Sequence, residues 1–347
     1  MNNILYLPST PLNLLLSAAH ALAHPAAARL LYLDQKRPSP YLSALRQWAE
    51  SPFAQVAEQV VPAGVLARWR VRQATFRQLD AWWQACPWAR VAVGSDRRVE
   101  FQYAVSRKRG IQGDYLDDGL YSYMGRPWRP IKDRLDGVLK RLVYGRWWQT
   151  PPTIGASQWI ADAWLFAPEQ AVAPLRQKQV HKIEPEWFQR PEMLALGAQV
   201  LAQFQVDVDS LSRCDRLLLL THPNNAGKIP GYERRVAELL QRWHRLHVAA
   251  KYHPRTEGDP FNVQAQGVST LLPATLAFEF VLPFLPPGMT VVADVSTTLL
   301  TARWLRPDLR LIALLDGASP LERRVLPVMQ AMGIETMTSK EMAQCTF

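Results

Sequence analysis

Four short stretches hold residues whose types and spacing could do chemistry. In Tyr115-Leu116-Asp117-Asp118-Gly119, two adjacent carboxylates directly follow a short strand-like stretch, and Gly119 permits a sharp turn. A carboxylate in that place can act as a general base, and its like-charged neighbour raises its pKa toward a useful value. The same residues could also form a plain Asp-Gly surface turn. Lys251-Tyr252-His253-Pro254-Arg255 closes another apolar run. There His253 can donate to a phosphate oxygen or protonate a leaving group, while Lys251 and Arg255 hold the negative charge. A second His-Pro, His222-Pro223, ends the run 217–220 and opens Asn224-Asn225-Ala226-Gly227-Lys228. Val295-Ser296-Thr297-Thr298-Leu299 sets three hydroxyls before an apolar helical stretch. That arrangement suits an anion site at a helix N-terminus, or simple N-capping by Ser296.

Metal chemistry finds no comparable support. His20 and His24 share helical spacing but sit in an Ala-rich stretch ending at Pro25, and His244 and His247 have no third ligand nearby. Both pairs read as structural, so no metal is expected. The glycine-rich phosphate and dinucleotide loops and the Gly-x-Ser-x-Gly elbow are absent.

The elements that must position these residues alternate between strand-length apolar runs and helix-length amphipathic stretches, which predicts α/β layering. Strands are expected at 3–7, 30–33, 91–94, 114–116, 216–220, 246–251, 289–293 and 309–314, and helices at 11–22, 232–244, 272–282 and 297–305. The stretch 165–215, with Pro168, Pro174, Pro185 and Pro191, reads as irregular and as the inter-domain connection. Two domains, 1–175 and 176–347, follow. Parallel strands would bring their active loops to the strands' carboxyl ends, facing each other across a cleft.

Composition narrows the classes further. The chain has 347 residues, 48% hydrophobic and 20% charged, which is globular and long enough for two cores. No apolar run reaches the roughly eighteen residues of a membrane span. Met1 to Tyr6 lacks a basic leader segment and reads as a first strand. Three scattered cysteines, Cys86, Cys214 and Cys345, argue against a disulfide framework and fit a reducing cytoplasm. The net charge is +10, and residues 61–150 hold 17 Lys/Arg against 8 Asp/Glu together with seven of the thirteen tryptophans. A basic, Trp-rich half points to an anionic partner, or to a solvated basic face.

Taken in order, Asp-Asp-Gly, His-Pro and a Ser/Thr pair before a helix resemble the motifs of bacterial sialyltransferases and polysialyltransferases. Short blocks extend the likeness: Thr10-Pro11-Leu12-Asn13, Gly94-Ser95-Asp96-Arg97, Asp117 through Tyr123, and Lys251-x-His253-Pro254-Arg255. Pro273 and Glu279 partly match the family's Pro-x-Glu region at a different spacing. Asn13 stands where the family has Gln, and Thr297 where many members have a second Ser.

The resemblance implies a GT-B-like α/β fold of two Rossmann-like domains, the first on the acceptor side with the base, the second binding a nucleotide sugar. It implies inverting transfer of a nonulosonic acid (sialic, pseudaminic or legionaminic acid, or Kdo) from a CMP-activated donor to a hydroxyl of a bacterial surface glycan. The base would be Asp117 or Asp118, with Asp117 preferred, and His253 would assist departure of CMP. His222, Asn224, Lys251, Pro254, Arg255, Ser296, Thr297 and Thr298 would bind the donor. Thr10, Asn13, Gly119 and Glu279 would line the same cleft. No cofactor or metal is implied. The partners are the CMP-sugar and a glycan or glycolipid acceptor, in lipopolysaccharide or capsule biosynthesis.

One further segment bears on location. Ile131, Leu135, Val138, Leu139, Leu142, Val143 and Trp147 fall on one helical face, with Lys132, Arg134, Lys140, Arg141 and Arg146 around it and Trp128, Trp147 and Trp148 at the ends. This face could pack against the N-terminal sheet, or lie in a lipid interface as a peripheral contact through 126–148. The latter fits a cytoplasmic enzyme at the inner face of the membrane. Two other readings compete: a GT-B transferase using another nucleotide sugar, and a basic nucleic-acid-binding protein. The second has only the charge behind it, without a zinc-finger or RNP signature, so no nucleic acid is expected.

Overall fold

In the computed structural model the described residues are 3–126, 129–229, 231–294, 296–317 and 319–344. Trp128, Val295 and Cys345 therefore lie outside them. The chain divides into two units, Met1–Leu196 and Gly197–Phe347.

The first unit holds strands β1 (Ile4–Tyr6), β2 (Ala28–Gln35), β3 (Phe53–Val60), β4 (Arg90–Val93), β5 (Gln112–Leu116), β6 (Ile160–Leu165) and β7 (Gln179–Lys182). They form one parallel sheet in the order β3-β2-β1-β4-β5-β6-β7. Central β1 pairs Leu5 with Arg29 on one side and Val91 on the other. Its residues are buried on both faces, as a parallel sheet covered by helices requires. The connecting helices are α1 (Pro11–Ala23), α2 (Pro40–Gln47), α3 (Val65–Ala85), α4 (Val99–Val105), α5 (Tyr121–Met124) and α6 (Pro130–Tyr144), then α7 (Ala173–Arg176). Leu5, Leu31, Val91, Phe101 and Tyr115 meet in the core.

Helix α8 (Pro191–Gln203) runs from the first unit into the second, followed by α9 (Val208–Ser212). The second unit then carries β8 (Arg216–Leu220), α10 (Pro223–Ala226), α11 (Tyr232–Arg242), β9 (Val248–Tyr252) and β10 (Thr270–Leu272). It ends with β11 (Thr290–Ala293), α12 (Thr297–Leu305), β12 (Arg310–Leu314), α13 (Pro320–Ala331), β13 (Glu335–Met337) and α14 (Ser339–Gln344). This sheet is again parallel, in the order β10-β9-β8-β11-β12-β13. The strand order reverses between β1 and β4 in one sheet and between β8 and β11 in the other. Such switch points are where doubly wound sheets bind ligands.

Three expectations change. Residues 272–282 are no helix: β10 ends at Leu272, and two single 3₁₀ turns follow, Phe278–Phe280 and Leu282–Phe284. Leu276, Phe278, Phe280, Val281 and Leu282 are all buried, and on a helix these positions would surround the axis rather than mark one face. The stretch 165–215 is not irregular. Its prolines stand at the starts of elements, where a missing N–H costs nothing: Pro168 and Pro185 open 3₁₀ turns and Pro191 opens α8. Consequently β7 joins the first sheet, and the division falls at 196/197, within the connecting stretch 165–215. Finally, the apolar face of α6 does not pack on the sheet. Ile131 is 78% and Leu142 79% exposed, while Asp133 and Gly137 are buried.

Candidate active site

In the first unit, β1, β4 and β5 deliver their carboxyl ends to the switch point. After β1, Thr10 caps α1, its Oγ1 accepting from Asn13 N at 3.2 Å. That fixes Asn13 in the first turn, buried, with Nδ2 donating to Asp118 Oδ1 at 3.2 Å. After β4, Gly94 makes room for this contact: a Cβ there would stand 2.2 Å from Asn13 Nδ2. Asp96, buried beside it, accepts from Gly155 N (2.9 Å) and Ser157 N (2.7 Å) and ties two loops together. After β5, Gly119 adopts φ +82°, the left-handed turn for which glycine suits.

The two carboxylates of the pair differ. Asp117 is fully buried and saturated. Its Oδ1 accepts from Gly119 N (2.9 Å) and Ser122 Oγ (2.6 Å), its Oδ2 from Phe166 N (3.1 Å) and Tyr123 OH. It binds the ends of β5 and β6 and the short α5 into one block. Burial pushes its carboxyl up, and these donors oppose the shift. Asp118 is half-buried and lines a cavity of about 310 Å³ with Ser9, Thr10, Arg72, Arg97, Arg98 and Lys140. Burial pushes its carboxyl up to about 7, with Asn13 opposing, the Asp117 charge adding and Arg98 opposing. A carboxylate tuned there can both lose and accept a proton near neutrality. Of the two, Asp118 faces the cavity, whereas four donors already occupy the oxygens of Asp117, the member preferred from the sequence.

In the second unit, His222 follows β8 and His253 follows β9. The rings lie 5.6 Å apart, edge to face. Each Nδ1 accepts a backbone N–H two residues on: Asn224 N to His222 at 3.1 Å, Arg255 N to His253 at 3.2 Å. An Nδ1 that accepts leaves the ring proton on Nε2, so each imidazole presents an Nε2–H donor. His253 is exposed, and burial, His222, Arg255 and Lys251 together lower its pKa. It is thus a neutral donor rather than an imidazolium acid. Pro254 holds the turn between His253 and Arg255, and Arg255 and Asn224 are exposed beside the two rings.

Lys251 differs from the expected phosphate ligand. It is buried in β9, and Nζ donates to Tyr252 O (3.0 Å) and Ala274 O (2.9 Å). Burial lowers it to about 8, with Glu279 opposing, and Glu279 is itself pushed up by burial. Through Ala274, Lys251 supports the loop after β10. That loop, with Tyr252, Thr256 and Asp259, borders a second cavity of about 400 Å³. After β11, Ser296 caps α12, its Oγ accepting from Thr298 N at 3.3 Å, with Thr298 half-buried. The side chain of Thr297 lies outside what is described.

Sequence reasoning missed Arg72 and Lys140, which reach the Asp118 cavity from distant helices. It also missed Asp294, buried at the end of β11 and pushed up to about 6 by burial against a hydrogen bond from Thr221. An acid directly after a strand at the switch point was the available signal. Among the described residues no three His, Cys, Asp or Glu are grouped as a metal ion would need.

No family model matches the chain. No curated protein matches it in sequence. Solved structures do match in fold. An α/β-galactoside α-2,3-sialyltransferase from the luminous marine bacterium Photobacterium phosphoreum is 11% identical, with a TM-score of 0.59 over 97% of this chain and 98% of that one. The GT-B domain of a sialyltransferase from Photobacterium damselae is 12% identical, with a TM-score of 0.55 over 97% and 100%. A UDP-N-acetylglucosamine 2-epimerase from Neisseria meningitidis, bound to UDP-GlcNAc, is 13% identical, with a TM-score of 0.58 over 99% and 89%. The fold is therefore GT-B-like, with bacterial sialyltransferases among its structural neighbours.

Proposed function

We propose that the chain is an inverting glycosyltransferase that moves a nonulosonic acid from its CMP-activated donor to a hydroxyl of a bacterial surface glycan. The sugar would be sialic acid or a relative such as pseudaminic acid, legionaminic acid or Kdo. The observation that carries the reading is the division within the acid pair: Asp117 is spent on the scaffold, and Asp118 is left at a cavity with its carboxyl near 7. The motif order and the GT-B-like fold support it.

In the proposed step Asp118 takes the acceptor's hydroxyl proton as that oxygen bonds the anomeric carbon. The bond from this carbon to the CMP phosphate breaks, and the electron pair leaves with the phosphate. Nε2–H of His253 and of His222 stabilise the departing charge. Arg255, Asn224 and the hydroxyls of Ser296, Thr297 and Thr298 at the start of α12 add donors. A base and a leaving group on opposite faces of the sugar would give inversion. Fixed donors take the place of a metal ion, so turnover should persist in EDTA. The enzyme would work in the cytoplasm, in lipopolysaccharide or capsule biosynthesis, and touch the membrane peripherally through residues 126–148.

A second reading, another nucleotide sugar, draws on the epimerase likeness, whose TM-score of 0.58 matches that of the sialyltransferases. The test is CMP and UDP release from a panel of CMP-nonulosonates and UDP-sugars, with calorimetric titration of CMP and UDP. CMP release and tighter CMP binding are expected. UDP release with no CMP binding would replace the donor assignment.

A further inference from the structure

Where α3 and α6 meet, the usual arrangement of a surface helix is reversed. Helix α6 turns its polar side inward. Asp133 is buried and takes Arg97 Nη2 at 3.0 Å and Arg126 Nη1 at 3.1 Å. On the same side Lys140 Nζ stands 4.5 Å over the Trp148 ring, and Tyr144 OH accepts from Arg72 Nη1 of α3 at 2.8 Å. The opposite side bears Leu135, Val138 and Leu139, all exposed, between Ile131 and Leu142. In the two turns before Arg72, α3 adds exposed Val65, Leu66 and Trp69. Among the described residues these two segments carry nearly all the exposed large apolar side chains. A helix that faces only water shows the opposite pattern.

Charge decides what covers this face. Arg68 and Arg70 on α3, and Lys132, Arg134 and Arg141 on α6, are exposed among the apolar residues. The acids of α6 are already engaged: Asp133 with Arg97, and Asp136 with Lys140 at 2.8 Å. A second copy docked about a two-fold axis would set these cations against themselves. An anionic lipid surface complements them, with the apolar stripe in the acyl boundary and the cations at the head groups.

The same two helices wall the Asp118 cavity. Arg72 of α3 and Lys140 of α6 line it with Arg97 and Arg98. Arg72, Arg97 and Arg98 are each held by a carboxylate on the protein side, from Glu100, Asp133 and Asp34, so the cations are positioned in advance. We propose that this face docks on an anionic bilayer and that the acceptor is a membrane amphiphile, its anionic head group entering the Asp118 cavity while its acyl chains stay in lipid. The acceptor class rests on the transferase reading above; the docking does not.

The test uses the full chain and two readouts independent of donor turnover. In sedimentation, vesicles of phosphatidylcholine with phosphatidylglycerol should bind the protein about tenfold or more tightly than phosphatidylcholine alone, and high salt should reverse this. Leu139→Glu with Leu142→Glu should abolish binding while leaving thermal melting unchanged. In calorimetry without vesicles, dodecyl phosphate below its micelle concentration should bind about tenfold more tightly than inorganic phosphate, and Arg98→Gln should weaken both. Wild-type protein that stays in the supernatant with anionic vesicles overturns the docking. So does a wild-type dimer that Leu139→Glu with Leu142→Glu makes monomeric, because a second copy then covers the face. Equal binding of the two phosphates overturns the amphiphilic acceptor. CMP release from the donor panel, measured in parallel, shows separately whether the transferase reading survives.

Discussion

The strand order reverses between β1 and β4 in the first unit and between β8 and β11 in the second, yet the loops at the two reversals are held by different means. The first joins segments far apart in sequence: Asn13 reaches Asp118, Phe166 N reaches Asp117, and Gly155 N reaches Asp96. In the second, each imidazole accepts from a backbone N–H two residues on and Ser296 caps its own helix, while a hydrogen bond from Thr221 to Asp294 joins the ends of β8 and β11 away from the imidazoles. Long-range side-chain bonds make a site part of the fold's stability, whereas local caps leave it detachable from the fold. Substitutions in the first loops should therefore cost structure as well as rate, and those in the second mainly rate.

The largest effect is expected at Asp117. Removing its carboxylate in Asp117→Ala leaves Ser122, Tyr123 and the N–H groups of Phe166 and Gly119 without their acceptor. Each buried donor so stranded costs about 1–3 kcal/mol, so the variant should melt far below wild type or fail to fold. Unchanged melting would erase the contrast between the two sites. Next comes His253→Ala, for which a rate loss of about 10²–10³-fold at unchanged melting is expected, as for deletion of one donor to a developing anion. A matching loss of stability would show that this site, too, belongs to the fold.

Asn13→Leu acts on the first site through pH. The Asn13 hydrogen bond lowers the Asp118 pKa, so its loss raises it further from about 7. A base works only when deprotonated, and wild-type activity should rise as pH climbs through about 7. The rising limb of the variant should move to higher pH, leaving rates at high pH less affected than those at low pH. An unmoved limb would detach Asn13 from the base. Gly94→Ala, which pushes into the same amide, should shift the limb in the same direction. The smallest effect belongs to Ser296→Ala, about 1 kcal/mol of stability for a lost N-cap. Weakened CMP binding in calorimetry would assign the hydroxyl to the donor as well; unchanged affinity would leave it a cap.

Much of this was legible where a polar residue ends an apolar run. Asp117-Asp118, His222, His253 and Ser296 all stand at strand ends, because in a parallel sheet the carboxyl ends are where the chain leaves the core. What could not be read was which member of a pair is free to react. Ser122 and Tyr123 are near Asp117 in sequence, but Phe166 is brought by β6, and only together do they occupy its oxygens. Lys251 misled for a related reason. It stands among cations in the sequence, whereas the strand β9 is buried on both faces and turns its amine onto carbonyls. In α6 the periodicity located an apolar face but not its direction, since Asp133 and Arg97, 36 residues apart, anchor the other side.

Whether Asp118 is the base and Asp117 its support is decided by the rate of transfer in Asp118→Asn. The wild-type donor is used at pH 8, with melting and CMP binding measured on the same sample. Folding raises the Asp118 carboxyl from 3.8 to about 7, so above that pH its buried charge burdens the folded state, and Asn in its place should leave melting unchanged or higher. Asp118→Asn should fold and bind CMP but transfer about 10²–10⁴-fold more slowly, without the rise near pH 7. A variant that transfers at close to the wild-type rate, with the rise intact, would contradict it.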